Sequence, residues 1–156
     1  MTPRVGLGFD VHPFSDDPGR SLVLGGVTVE GRGLAGHSDA DAVAHAIADA
    51  LLGAAGLGDI GTHFPDTDPV YAGIDSLELL ARVVLSVSTD WAIGNVDVTI
   101  IIEAPRLAPY RAEMERRLGE VVGAAVSVKA KRAEALGALG RQEGIACLAV
   151  ALLMPR

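Results

Sequence analysis

The sequence holds one cysteine, Cys147, among 156 residues, so no disulfide can close within the chain and a reducing, cytoplasmic setting is expected. Aromatic residues are scarce: Phe9, Phe14, Phe64, Tyr71, Tyr110 and Trp91 do not interleave with a basic run as a base-stacking platform would. Lysine occurs only at Lys129 and Lys131, and 13 basic against 20 acidic side chains leave a formal charge of −7. A broad electropositive face for a phosphate backbone is excluded, and nucleic acid is not an expected partner. The longest apolar runs fall well short of a membrane span, and the opening stretch MTPRVGLGFDVH lacks the apolar segment of a signal peptide, so no membrane partner is expected either. Small residues are plentiful, with alanine abundant and glycine at 19 positions. Such a chain packs its elements closely but fills little volume per residue, which points to burial shared with neighbouring copies. Hydrophobic residues make up 49% and charged residues 21%, an ordinary globular composition that excludes a disordered tail or a low-complexity linker. A chain of this length buries roughly two thirds of its unfolded surface.

Arg4 to Phe9 and Ser21 to Glu30 read as strands, the second broken at Gly25-Gly26 into a hairpin or bulge. The Ser38-Asp39-Ala40-Asp41 run has the serine-x-x-acid form of a helix start, and a helix is expected from about Ala40 to Leu52 with Val43, Ala44, Ile47, Ala48 and Leu51 on one side. Gly58 to Gly73 reads as an irregular connection long enough to carry function. A second helix is expected over Ser76 to Val87, a strand in the sheet interior over Asn95 to Glu103, and a third helix over Tyr110 to Val122 that stops at Gly123. Val126 to Ala130 and Cys147 to Met154 close the sheet, separated by a loop. Strands alternate with helices unevenly, and no composition shift marks a second domain. The pattern predicts one α+β layered domain over residues 1–156, a mixed sheet of about four main strands packed on one side by helices.

Gly6-Leu7-Gly8 ends no dinucleotide fingerprint, because position 11 is Val11 and Pro13 follows where a helix is required. The more telling residues come next. In an extended chain Asp10 and His12 point to one face while Val11 points to the other. On the following helix Asp41, His45 and Asp49 are spaced by four and should form a polar stripe. A helix histidine is usually a surface or satisfied core residue, and an Asp-x-His at a strand end can be only a turn. One carboxylate and two imidazoles together have the composition of a catalytic zinc site with its fourth position open. His37 and Ser38 stand where the helix N-terminus would offer unpaired amides to an anion, unless Ser38 merely caps the helix.

The runs GLGFDVH (6–12), GHSDADAVAHAIADALLGAAGLGDIGTHFPDTDP (36–69), NVDVTIIIEAPRLAPY (95–110) and GRQEGIACLAVALL (140–153) resemble the 2-C-methyl-D-erythritol 2,4-cyclodiphosphate synthase family of the non-mevalonate isoprenoid pathway. The likeness covers nearly the whole chain in order. It implies a homotrimer with active sites between subunits, and conversion of 4-diphosphocytidyl-2-C-methyl-D-erythritol 2-phosphate to the 2,4-cyclodiphosphate and CMP. It implies that Asp10, His12 and His45 bind a divalent metal, usually zinc, and that a substrate phosphate oxygen completes the tetrahedron. Glu134 falls where the family ligates a second ion, magnesium or manganese, on the diphosphate. Asp10, His12, His37 and Ser38 match positions near the phosphates, and Asp59, Ile60, Gly61, Phe64, Pro65, Asp66, Thr67 and Asp68 match segments around the methylerythritol part. Ile102, Glu103, Ala104, Pro105, Arg106, Leu107 and Ala108, with Lys131, Arg132, Ala133 and Glu134, match the cytidine and diphosphate pocket. His37 and Arg132 are the expected catalytic residues, and Ala138 and Arg141 the remaining expected substrate contacts.

The chain departs from the family around that pocket. A run of threonines before the glutamate is here Lys131-Arg132-Ala133, Ala138 and Leu139 replace an aromatic and a threonine, and Gln142 replaces a glycine. Arg132 stands at a threonine near the diphosphate, where its cation takes over charge stabilisation or backbone amides alone matter. Arg141 and Glu143 line a trimer-axis cavity by the same likeness, or form a surface pair. These departures motivate an alternative, a catalytically silent metal-dependent trimer that binds isoprenoid diphosphates or cytidine nucleotides. A zinc phosphohydrolase is a third reading.

Overall fold

The computed structural model describes residues 1–156. In chain order it contains β1 (Arg4–Pro13), a hairpin of β2 (Leu22–Leu24) and β3 (Val27–Val29), α1 (Ala42–Ala55), a short α2 (Ile60–His63), a 3-10 turn over Pro69–Tyr71 and α3 (Ser76–Val87). Then follow β4 (Trp91–Ile101), α4 (Arg111–Val122), β5 (Ala125–Lys131), α5 (Gly137–Gly140) and β6 (Gly144–Pro155). The four long strands lie in the order β1-β6-β4-β5. β6 runs antiparallel to both neighbours, whereas β4 and β5 are parallel. That parallel pair is joined through α4, as a parallel connection requires a crossover. The architecture is the expected α+β fold with a mixed four-stranded sheet.

Strand alternation gives the sheet two unlike faces. Along β6, Ile145, Cys147, Ala149, Ala151 and Leu153 are buried on the helix side, while Val150 and Met154 are exposed on the other. α1 packs on β1 and β6, α4 packs on β5, and α3 lies against both helices. The expected packing on one side therefore holds. α1 is buried almost all round, with Ile47, Leu51 and Leu52 fully covered, each contributing roughly 1.5–3 kcal/mol of burial.

α1 sits this close to β1 because Gly6 and Gly8 lack side chains. A Cβ on Gly8 would lie 1.8 Å from the Ala46 carbonyl oxygen, and one on Gly6 would lie 1.9 Å from that of Ala50. The Gly-Leu-Gly run is thus a seat for a helix on a strand.

Several boundaries differ from the sequence reading. β1 continues through Asp10 and His12 to Pro13, so the pair lies inside a strand, opposite Cys147 and Ile145 of β6. α1 starts at Ala42 and its cap is Asp41, not Ser38: the Asp41 carboxylate accepts from the Val43 and Ala44 amides. Ala40 at φ 57° breaks the helical run between Ser38 and Asp41. The connection expected to be irregular contains α2 and the 3-10 turn, and α5 stands in the loop before β6. No helix is long and apolar enough to cross a membrane.

Candidate metal centre and active site

The polar stripe expected along α1 divides by function. Asp41 is fully buried and turns away to the β2–β3 turn, where it accepts from the Gly25 and Gly26 amides at 2.9 and 2.7 Å. Its oxygens thereby consume the first amides of α1. The helix N-terminus is capped by an internal carboxylate and is not the anion site that the sequence suggested. Asp49 accepts from the Ile60 amide at 2.8 Å and fixes the start of α2. His45 alone of the three points to β1.

There it meets the strand pair. Asp10, His12 and His45 each offer one ligand atom, and these atoms lie within 4.8 Å of one another. His12 Nε2 is 2.7 Å and His45 Nδ1 is 3.1 Å from Asp10 Oδ2. The outward nitrogens are occupied: His12 Nδ1 lies 2.9 Å from the Ala35 carbonyl, and His45 Nε2 lies 2.8 Å from Ser76 Oγ. A carbonyl only accepts, so His12 carries its proton on Nδ1. Its Nε2 then faces the Asp10 carboxylate at 2.7 Å, a gap that a cation fills, either the proton of the imidazolium or a metal ion. The donor set fits a divalent metal on this ground. Burial disfavours ionisation of Asp10, but the two imidazoles outweigh it and hold the carboxyl below its ordinary value. Burial likewise works against the His12 imidazolium, and the Asp10 carboxylate raises its pKa nonetheless.

These three residues lie in the wall of a cavity of about 520 Å³ that is also lined by Gly36, His37, Ser38, Ile60, Gly61, Phe64, Pro65, Asp66, Tyr71 and Leu79. His37 Nε2 lies 2.9 Å from the Asp68 carbonyl, and the Gly73 amide donates to the His37 carbonyl at 2.8 Å, so the 37–39 segment is laced to the 68–74 loop. Phe64 and Tyr71 meet edge to face with centroids 5.4 Å apart, closing one wall. Of the expected methylerythritol residues, Asp59, Thr67 and Asp68 do not line this cavity. Asp59 caps α2 through the Thr62 amide and hydroxyl, Asp68 caps the 3-10 turn through the Val70 amide, and Thr67 is exposed.

The expected cytidine and diphosphate residues gather elsewhere. Ile102, Glu103, Pro105, Arg106, Leu107, Ala108, Ala130, Lys131 and Arg132 line a separate cavity of about 200 Å³. Lys131, Arg132, Ala133 and Ala138 also border a shallow cavity of about 540 Å³ beside α5. Ala104 lines neither. The Glu103 side chain is only 5% exposed and organises the following loop. It accepts from the Ala133 and Ala135 amides, at 2.5 and 3.4 Å, and from Arg132 Nη2 at 3.1 Å. Those donors keep its carboxyl below the ordinary value against the desolvation that opposes them. Glu134 follows at φ 55° and does not join the Asp10, His12 and His45 group. Arg141 pairs with Glu143 at 2.8 Å, and both side chains are exposed.

Sequence reasoning missed Ser76, Asp39 and Tyr71. Ser76 opens a helix 31 positions from His45, so no local spacing could reveal the contact, whereas Asp39 lay inside the quoted His-Ser-Asp run.

Known proteins resemble this chain in sequence and fold. The chain is 54% identical over 157 residues to the 2-C-methyl-D-erythritol 2,4-cyclodiphosphate synthase of Symbiobacterium thermophilum, covering 97% of this chain and 99% of the relative. It is 53% identical over 153 residues to the bifunctional enzyme IspD/IspF of Anaeromyxobacter dehalogenans, covering 96% of this chain but spanning only 39% of that longer protein. The solved CDP complex of IspF from Plasmodium falciparum superposes with a TM-score of 0.86 at 34% identity, over 99% of this chain and 97% of the other. The YgbB family model matches residues 3–154, and the chain belongs to that family.

Proposed function

We propose that this chain is a metal-dependent 2-C-methyl-D-erythritol 2,4-cyclodiphosphate synthase, acting on 4-diphosphocytidyl-2-C-methyl-D-erythritol 2-phosphate and releasing CMP. The observation that carries the reading is the convergence of Asp10, His12 and His45 on one point in a cavity wall, in a chain of the YgbB family. Zinc is the metal that two imidazoles and one carboxylate suit best. When bound, a divalent cation there would supply Lewis-acid stabilisation of phosphate charge.

The reaction is an intramolecular phosphoryl transfer. An oxygen of the 2-phosphate forms a bond to the β-phosphorus, the bond from that phosphorus to the oxygen it shares with the CMP phosphate breaks, and the electron pair leaves with CMP. The attacking oxygen is already anionic, so no general base is needed, and rate comes from alignment and charge neutralisation. This chain has the parts for that task, and Cys147, fully buried with its thiol pushed well up by burial, offers no nucleophile. His37 and Ser38 face the first cavity beside the metal ligands, where they can hold the phosphates. Ile60, Gly61, Phe64, Pro65 and Asp66 shape the space for the methylerythritol part. Arg132 donates to Glu103 only through Nη2 and keeps the rest of its exposed guanidinium for the diphosphate. Glu134 is the chain's candidate ligand for a magnesium or manganese ion on that diphosphate.

Substrate binding across subunits of a homotrimer reconciles the two cavities, because one chain carries the metal half and the nucleotide half in separate places. The helix-free face of the sheet supports self-association. Val5, Leu7, Phe9 and Val11 are 68%, 66%, 54% and 50% exposed there, and Leu7 is registered with the exposed Val150. Contiguous apolar surface of this kind marks an interface. The lone buried cysteine suits a cytoplasmic setting.

The direct test supplies the diphosphocytidyl substrate with zinc and magnesium. CMP and a cyclic diphosphate are expected in equal amounts. A linear phosphate product would make the protein a phosphohydrolase, and cytidine nucleotide binding without turnover would make it a silent binder; either overturns the proposal.

A further inference from the structure

The two metal-binding imidazoles are held by different means. His12 is oriented by a backbone carbonyl, that of Ala35. His45 is oriented by side chains drawn from two other parts of the chain. Its Nε2 lies 2.8 Å from Ser76 Oγ at the first position of α3, and the Ser76 hydroxyl donates in turn to Asp39 Oδ1. The second Asp39 oxygen accepts from the Ser76 backbone amide at 3.1 Å, and Asp39 Oδ1 accepts from the Asp41 amide at 3.1 Å. Ser76 is 1% exposed, so its hydroxyl is shielded from bulk water.

The direction of this chain of hydrogen bonds is set by chemistry. An ionised carboxylate only accepts, so Asp39 fixes the Ser76 hydroxyl proton on its own side. Ser76 Oγ is left with a lone pair toward His45 and accepts from Nε2–H. The Nδ1 lone pair of His45 is then the one that faces Asp10 Oδ2, 3.1 Å away. Nothing else near Nε2 determines this, since Ser38 Oγ at 3.2 Å can donate or accept.

We propose that Asp39 and Ser76 form a positioning relay that locks His45 as an Nδ1 metal ligand. The inference rests on the metal-centre reading above. Neither residue touches the reacting atoms; both act through the imidazole, and the relay also ties α3 to the entry of α1, so metal binding senses the junction of those helices. Partners of this kind are worth about 10- to 100-fold in metal affinity when removed.

Zinc affinity of the full-length protein, measured by chelator competition at a temperature where the metal-free forms are folded, tests the relay. Ser76→Ala is expected to weaken zinc binding by about 10- to 100-fold and Asp39→Asn by a smaller factor, with circular dichroism of the metal-free proteins unchanged. Long-range ¹H–¹⁵N spectra of the zinc-loaded wild type give a readout that needs no variant: His45 is expected to be protonated on Nε2 and coordinated through Nδ1. Coordination through Nε2 overturns the relay, as does a Ser76→Ala protein that binds zinc within twofold of wild type. If the wild type itself takes up no zinc, the metal-centre reading falls and takes the relay with it; if wild type and Ser76→Ala bind equally, the relay alone falls.

Discussion

The two candidate half-sites are built from unlike material. The metal half stands on β1 and α1, elements pressed together in the core, and each imidazole has a hydrogen-bonding partner behind it. The nucleotide half stands on the segments that leave β4 and β5, where Arg132 is exposed and one carboxylate, Glu103, gathers the loop. A metal site needs atoms fixed to fractions of an ångström, and two packed core elements hold them so. A pocket for a flexible nucleotide tolerates a looser frame and can be finished by another subunit.

Four perturbations break or sharpen that contrast. His45→Ala removes a ligand from the rigid half, and zinc and turnover should vanish together, turnover by more than the roughly hundredfold loss typical of an outer-sphere partner; metal content by mass spectrometry and CMP release read both. Leu7→Asp places a charge on the helix-free sheet face without touching either cavity. The protein should sediment as a monomer that retains zinc but loses nearly all turnover, since each half would then lack its complement; an active monomer would disprove a site shared between copies. Glu103→Ala loosens only the second half. Zinc content should stay unchanged while KM for the diphosphocytidyl substrate rises about tenfold, in line with the loss of a charge-assisted hydrogen bond.

The smallest effect concerns the cap that joins neither half. Burial pushes the Asp41 carboxyl up from 3.8 to about 6, with the Gly26 amide working against it, the Asp39 charge adding to it, and the Gly25 and Ala44 amides opposing. The folded state therefore binds a proton more tightly than the unfolded chain, and stability should fall as pH rises from about 4 to about 6, levelling off outside that window. Denaturant melts of wild type against Asp41→Asn over that range isolate the slope, which the variant should lack.

Much of this was legible in the residues. The period of the apolar positions located α3 over Ser76–Val87 and α4 within a residue, and Gly123 ends α4 at φ 72° as a left-handed cap. Asp10 and His12 share a strand face by alternation alone, and the structure brings the ligand atom of His45, on the following helix, to within 4.8 Å of theirs. The misreadings were local too. Ser38 and Asp41 both suit a helix start, and choosing between them depends on Gly25 and Gly26, whose amides lie on a hairpin that the spacing could not bring near.

What the sequence determined by itself was the set of chemical groups and their local direction: which residues alternate onto a strand face, where helices stop, and which motifs assign the family. Only the tertiary structure decided that two glycines let α1 settle on β1, bringing His45 to Asp10, and that Ser76 stands behind His45. It also decided that the residues expected to meet the nucleotide open into a different cavity. Such facts depend on contacts between residues far apart in the chain, which arise when burial of one core selects a single packing and leave no trace in local periodicity.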